Sequence, residues 1–545
     1  MRAIIAPNFA WKKTHIDGVT LHYAGDLEQL KRIVGAVIRL GPQITISALH
    51  GELGTLSVPG AAIFQFCGLT IAFVDHFRCY PIFYRIDGKA AISNNARELT
   101  GEAWGKSAWK QLSAEEFAMT GYVTGHETLI DGLYQLQSGE CMIYRSGRGE
   151  LDIKRYYRYE HEPGTNSNVN QWIEELDSVM ESVTDRMISR AKGRPVRITL
   201  SAGLDSRVLV AKFCERGYDN LETFSYGPKH NWEARGARIV ASRLDVPWRF
   251  VGVSNREARM MFWSEERKDY WRFADGLSAQ ANFQEYFAIK KLRKEDALPE
   301  DVILINGQSG DFISGGHIPV SLYHENADVR SLLTAITAKH YGLWLTLMTP
   351  ERLQRIETKL LQLLGVSLDD DLSPEELCSL YERWECEERQ VKWVIHAQRV
   401  NDFFGYDWQL PLWDIELARF FQRVPFKLKL NQRLYRMWLE KWNYKGLFRG
   451  FNPTVWRWPG LTLAVVPAAK IVEVLFGKRA KRNWYDIFAY WGHTTEHYAP
   501  YRYRDYFAVR SKIRNCIALN CRTWANENRM SRGVVDVGQI DFSNS

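Results

Sequence analysis

Through the first 157 residues, aromatic and β-branched side chains gather in short runs separated by turn residues. GAAIFQFCGLTIAFVDHF and YPIFYRIDGKAAISNN read as strands, with Asp87-Gly88 as a hairpin-type turn. ETLIDGLYQLQSGECMIYRS is a second strand-rich passage, turned at Gly132 and Gly139. EHEPGTNSN, from Glu160 to Asn168, has no periodicity and reads as a linker. Beyond it Trp172, Ile173, Leu176, Val179, Met180, Val183, Met187 and Ile188 fall on one stripe at helical spacing. The strands VRITL, LETFSY, RFVGV and VILIN then alternate with helices that begin near Ser206, run from Glu233 to Leu244, and recur between Arg256 and Lys290. This alternation predicts a parallel, doubly wound sheet with helices on its faces. From about residue 330 the pattern is mostly helical, and no internal repeat is visible.

A chain of 545 residues is too long for one core, so at least two domains are expected. Hydrophobic residues at 46% and charged residues at 25% describe a globular protein. The net charge of +7 is spread along the chain and does not call for a nucleic-acid partner. The eight cysteines follow no framework spacing, which suits a reducing compartment, and no basic-then-apolar signal opens the sequence. The expected location is the cytoplasm. The longest apolar segment, LTLAVVPAAKIVEVLF from Leu461 to Phe476, contains Pro467, Lys470 and Glu473 and is shorter than the roughly 20 residues a membrane span needs. It reads as a buried or amphipathic helix, with peripheral membrane contact as the alternative.

Candidate chemistry begins at VRITLSAGLDSRVLVAKF, Val196 to Phe213, where a small-residue loop separates a strand from a helix. In a parallel sheet, ligands bind at the carboxyl ends of the strands, and a helix N-terminus there offers unpaired N–H groups. Ser201 and Ser206 can donate hydroxyls, and Gly203 lets the backbone approach a phosphate. A carboxylate beside a polyphosphate is repelled unless a cation lies between them, so Asp205 reads as a magnesium ligand. Simple helix capping by Ser201 or Asp205 is the competing account. VILINGQSGDFISGG, Val302 to Gly316, is a second buried strand running into a glycine-rich loop with an acid, Asp311. Two such loops at one sheet edge can bring two carboxylates together around a magnesium-bound triphosphate. Neither the lysine-bearing phosphate loop nor GxGxxG is present.

These motifs resemble those of the asparagine synthetase family, in which a strand leads into SGGLDS and a later strand into SGxGxDExFGG. Here they stand as Ser201-Ala202-Gly203-Leu204-Asp205-Ser206 and as Asn306-Gly307-Gln308-Ser309-Gly310-Asp311 through Gly315-Gly316. TFSYG, Thr223 to Gly227, resembles the strand that flanks the adenine. Tyr406 to Arg436 resembles a later stretch with a P-hydrophobe-hydrophobe-D element. In the N-terminal part, DHFRCYPIFY and TLIDGLYQLQSGE resemble two elements of the family's glutaminase domain. The resemblance covers most of the first 440 residues.

It implies an α/β protein: an Ntn-hydrolase-like layered sandwich, then an adenine nucleotide alpha hydrolase-like parallel sheet with a helical C-terminal lobe. The expected domains are 1–158, glutaminase-like; 169–440, the ATP-pyrophosphatase domain; and 441–545, a helical extension rich in aromatics and arginine. The implied cofactors are ATP and magnesium, and the implied reaction adenylates a carboxylate and transfers ammonia or another amine to it. By position, Ser201, Gly203 and Ser206 hold the pyrophosphate, Asp205 and Asp311 reach the metal, and Leu200, Tyr226, Asn306 and Gly307 line the nucleoside. The resemblance leaves room for a homodimer.

Three departures qualify it. The family's glutaminase nucleophile is an N-terminal cysteine, whereas this chain begins Met1-Arg2-Ala3 and Cys67 and Cys79 are expected inside strands, so glutamine hydrolysis is not expected. Where the family has an acidic residue in the second loop this chain has Gln308, and where it has an acid after the aspartate this chain has Phe312; an amide cannot act as a base. The family's lysine is missing, leaving Arg433 or Arg436 to supply positive charge. These losses fit a changed acceptor, such as a sugar acid or a peptide, and equally a degenerate scaffold. Relatives in this family close β-lactam rings or lasso peptides without a working glutaminase half.

Two further motifs call for weaker readings. HTTEH, His493 to His497, has zinc-like spacing but no third ligand follows it. The aromatic and arginine-rich run from Lys481 to Arg514 reads as core with arginines lying over it rather than as a nucleic-acid surface.

Overall fold

The computed structural model describes residues 1–100, 109–164, 168–229, 231–452, 461–496, 498, 500–528 and 530. Among the described residues the N-terminal half carries ten strands: β1 (Arg2–Ala3), β2 (Trp11–Ile16), β3 (Val19–Gly25), β4 (Gly60–Phe66), β5 (Leu69–Val74), β6 (Phe83–Arg85), β7 (Ala91–Ser93), β8 (Tyr134–Gln135), β9 (Glu140–Arg145) and β10 (Glu150–Arg155). They form a four-stranded sheet, β1-β7-β6-β8, and a six-stranded antiparallel sheet, β10-β9-β5-β4-β3-β2. Side chains alternate in direction along a strand. Ile63, Ala72 and Met142 therefore meet Ile82, Tyr84, Ile92 and Leu136 between the sheets. Their neighbours Phe64, Phe73 and Ile143 turn the other way and pack against the helices Leu27–Leu40 and Ile46–Gly54. The Asp87-Gly88 turn joins β6 to β7 with Gly88 at φ 65°, in the region that favours glycine.

Cys67 and Cys79 are not in strands. Cys67 sits in the exposed turn between β4 and β5 with φ 46°, and Cys79 lies buried in the loop after β5. The stretch expected as a linker is partly docked: the Glu162 and Gly164 amides donate to the Gln422 and Arg423 carbonyls, both at 2.9 Å.

The second half is built on β11 (Val196–Thr199), β12 (Leu221–Gly227), β13 (Trp248–Gly252), β14 (Ile303–Ile305) and β15 (Asp407–Gln409). They form a wholly parallel sheet in the order β13-β12-β11-β14-β15. The chain winds outward from β11 in one direction, then crosses back to β14 and continues in the other. The crevice between the carboxyl ends of β11 and β14 is thus the topological switch point, where open α/β sheets bind ligands. The long helix Val169–Ala191 buries Trp172, Ile173, Leu176, Val179, Met180, Val183 and Met187, as its periodicity predicts. The helix Arg433–Trp442 runs through the boundary expected at residue 440.

One helical segment ties the parts together. Pro374–Trp384 continues into a π-helical stretch, Glu385–Val394, and carries Glu382, Glu385 and Glu388 three residues apart, all buried. Each acid meets a different region: Glu382 meets Lys429 at 2.6 Å, Glu385 meets His317 at 2.5 Å, and Glu388 accepts the Gly125 amide of the N-terminal half at 3.1 Å. Lys392, one turn along, bonds Glu388 at 2.6 Å and donates to the Val123 and Gly125 carbonyls at 3.1 and 2.7 Å. Removing one member of a buried ion pair strands the other without solvation, at a cost of about 3–5 kcal/mol. Lys392→Met is expected to lower unfolding stability by about that amount in denaturant titration, because Glu388 and both carbonyls lose their donor. A loss below ~1 kcal/mol would show that this contact does not hold the halves together.

Candidate functional site

Both acidic loops lie at the switch point. After β11, the Leu200 amide donates to the Phe224 carbonyl at 2.8 Å, and its own carbonyl accepts the Ser225 hydroxyl at 2.6 Å, so the loop starts locked to β12. The Ser201 amide donates to Ser206 Oγ at 3.0 Å, and Ser201 Oγ accepts the Gly203 amide at 3.0 Å. The helix Leu204–Glu215 begins at Gly203 with no side-chain cap. Its first-turn N–H groups therefore face the crevice without the oxygen a serine or aspartate cap supplies, which suits an anion.

The loop after β14 packs directly onto this turn. A Cβ at Gly307 would sit 2.7 Å from the Ser206 nitrogen, and one at Gly310 would sit 2.4 Å from Asp205 Cγ. Only glycine permits either approach. The Asp311 amide donates to Asp205 Oδ2 at 3.0 Å, while Asp205 Oδ1 is buried without a hydrogen-bond partner. Burial and the nearby Asp311 charge push the Asp205 carboxyl up to about 7. The Tyr435 hydroxyl lies near enough to oppose that rise, though it forms no hydrogen bond of ordinary geometry. A buried, unpartnered carboxylate oxygen beside a second carboxylate suits a divalent cation. Magnesium is usually held by one or two protein carboxylates, with phosphate and water completing its shell. Among the described residues no group of three or more histidine, cysteine or acidic side chains could hold a metal, so such an ion would depend on ligand oxygens.

Asp311 is oriented by a residue that sequence reasoning missed. His317 Nε2 bonds Asp311 Oδ2 at 2.9 Å and Nδ1 bonds Glu385 Oε1 at 2.5 Å, with Lys339 Nζ 3.1 Å from Glu385 Oε2. Burial disfavours the imidazolium, but its two carboxylate partners raise the His317 pKa to about 9. Burial likewise opposes the Glu385 charge, and His317 outweighs it, holding that carboxyl far below its ordinary range. His317 directly follows Gly315-Gly316, so its place after the loop was a usable signal. Glu385 and Lys339 offered none.

The two altered loop positions have other tasks. Gln308 Oε1 accepts the Gln398 side-chain amide at 3.0 Å, and Phe312 is buried, stacked on Trp413 at 5.6 Å. Gln432 is buried and donates to Ser314 Oγ at 2.9 Å. Arg433 and Arg436, on the helix Arg433–Trp442 that Gln432 precedes, are exposed, and among the described residues neither forms an ion pair with Asp205 or Asp311. Tyr226 packs in near-parallel fashion against Tyr498 of the C-terminal extension, with ring centroids 6.5 Å apart. The extension thus reaches the end of β12. Asn306 Nδ2 donates to the buried Glu285 at 2.5 Å. The zinc-like HTTEH stretch lies outside the described side chains.

Compared with known protein families, residues 176–459 match asparagine synthase, just over half of the chain. The chain belongs to the asparagine synthase family. No curated protein matches it. Asparagine synthase-type domains bind ATP and their members are ligases, and the matched span contains both acidic loops, the five-stranded sheet and Tyr435. The match runs past residue 440, beyond the helix Arg433–Trp442, to residue 459.

Glu285 gives this crevice a pH signature. Burial raises its pKa to about 7, with the Asn306 hydrogen bond opposing only part of that. Unfolded, it titrates in the ordinary glutamate range, near 4.5. Between those values the folded state holds the extra proton, so this group's contribution to stability falls as pH rises from about 4.5 to about 7. Glu285→Gln is expected to match the parent near pH 4.5 and to exceed it at pH 8 by on the order of 2–3 kcal/mol in denaturant unfolding. An unchanged pH dependence would contradict the assignment.

Proposed function

We propose that this asparagine synthase-type chain is an AMP-forming ligase that couples a carboxylate to an amine at the expense of ATP. A carboxylate oxygen attacks the α-phosphorus, the bond to the β-phosphate oxygen breaks, and pyrophosphate leaves. The amine nitrogen then attacks the acyl carbon and AMP leaves, with one proton released. The observation that carries this reading is the unpartnered, buried Asp205 Oδ1 beside Asp311, under an uncapped helix N-terminus at the switch point.

Ser201, Gly203, Ser206 and the first-turn amides would bind the pyrophosphate portion. Leu200, Tyr226, Asn306 and Gly307 would line the nucleoside, with Glu285 orienting the Asn306 amide. Magnesium, where bound by Asp205 and Asp311, would supply charge neutralisation for the leaving pyrophosphate. His317 acts as a positioning residue that fixes the Asp311 carboxylate through Nε2. Gln308 is an amide paired with another amide, so the amine proton passes to some other acceptor.

Among the described residues of the N-terminal half the cysteines are Cys67, in an exposed turn, and the buried Cys79 and Cys141, and glutamine hydrolysis is not part of the proposed activity. Burial drives the Cys79 thiol well above its ordinary pKa, and Cys141 is buried in β9. The N-terminal half is read as a glutaminase-type domain retained for its packing, and the amine as ammonia or a substrate amine. A soluble, cytoplasmic setting goes with small carboxylates, sugar acids or peptides as acceptors.

The test is magnesium-dependent release of pyrophosphate and AMP from ATP across aspartate, sugar acids and peptide carboxylates. One carboxylate class is expected to stimulate release, and Asp205→Ala to lower it by at least about 100-fold. A chain that neither binds nor turns over ATP would instead be a scaffold that kept the fold.

A further inference from the structure

The segment Leu461–Glu496 is helical on both sides of a break at Gly477, whose φ of 82° and ψ of 176° lie outside the helical region. The two arms fold against each other. The Trp484 indole donates to the Val465 carbonyl at 3.1 Å, Lys481 pairs with Glu473, and Val465 and Ala469 are buried. This makes a helical hairpin whose corner is Gly477. The residues at that corner are unusually apolar for their exposure: Val474 is 84% exposed, Leu475 66% and Phe476 72%, with Ile471 at 60% on the same arm. Immediately after the corner the chain reads Lys478-Arg479-Ala480-Lys481-Arg482, and Lys470 is exposed about two turns before it.

We propose that this hairpin tip docks on the headgroup region of an anionic lipid bilayer. Consecutive large apolar side chains facing water mark an interaction surface. A helix that presents apolar residues to the acyl boundary and cations to the headgroups is the arrangement that lies in a membrane interface. Val474, Leu475 and Phe476 at the corner enter the boundary, while Lys478 and Arg482 face lipid phosphates. No helix among the described residues is long and apolar enough to cross a membrane, so the contact is interfacial. A second copy of the chain fits this surface less well. A two-fold contact through the tip would bring two sets of Lys478 and Arg482 together, and lysine is depleted at protein interface cores.

The experiment is co-sedimentation of the full chain with vesicles of phosphatidylcholine alone or mixed with phosphatidylglycerol, at low and high salt. The expected result is binding to the mixed vesicles that weakens with salt. It is expected to fall about tenfold or more both in the triple variant Val474→Ser, Leu475→Ser, Phe476→Ser and in the double variant Lys478→Glu, Arg482→Glu. Because the substituted residues are solvent-facing, circular dichroism should match the parent, which separates lost docking from lost fold. Three results would overturn the proposal: no binding to either vesicle, equal binding to both, or undiminished binding by the triple variant. A dimer in solution that the triple variant dissociates, without vesicle binding by the parent, would also overturn it and assign the tip to self-association.

Discussion

Two glycines set the distance between the two acidic loops. Because Gly307 and Gly310 lack a Cβ, the loop after β14 lies against Ser206 and Asp205 with only hydrogen atoms between the backbones and the carboxylate. From that contact follow the hydrogen bond the Asp311 amide donates to Asp205 Oδ2, the repulsion between the two acids, and the burial of Asp205 Oδ1. The strand order makes the contact possible, since β11 and β14 are neighbours although more than 100 residues separate them. The cost of holding two carboxylates together in a crevice is what a bound cation would relieve.

The acids of the helix that runs from Pro374 into the π-helical stretch support this arrangement from behind. Glu385 fixes His317, which fixes Asp311, while Glu382 holds Lys429 under the glycine pair and Glu388 reaches the N-terminal half. Gly315 packs on the Lys429 backbone, where a Cβ would lie 2.5 Å from the carbonyl oxygen. The position of the second loop thus depends on buried ionic pairs as well as on its own turn. A π-helical stretch often marks such a place, because its extra residue per turn re-aims the side chains.

Much of this was legible in the chain. The strand-loop-helix patterns around Asp205 and Asp311 and the stripe on Val169–Ala191 follow from local composition, which is why they appear as read. β15 was missed because Asp407-Trp408-Gln409 carries no apolar run; it is a strand only because β14 offers it a parallel edge. The acids Glu382, Glu385 and Glu388 recur at the spacing of a solvated helix face. They are buried because each also meets a partner that arrives from 47 residues away or more. The Leu461–Phe476 segment shows the converse, an apolar run that faces outward at its end because it pairs with its own second arm rather than with the core. Periodicity reports which face differs, not what will cover it.

The central claim is that Asp205 and Asp311 share one cation with the phosphates of ATP. It is tested most directly by a crystal structure with manganese and a non-hydrolysable ATP analogue, using the anomalous signal of the metal. The account predicts an anomalous peak bonded to both carboxylates and to phosphate oxygens at the N-terminus of Leu204–Glu215. An analogue bound with its metal elsewhere, or with Asp205 Oδ1 still unligated, would contradict it.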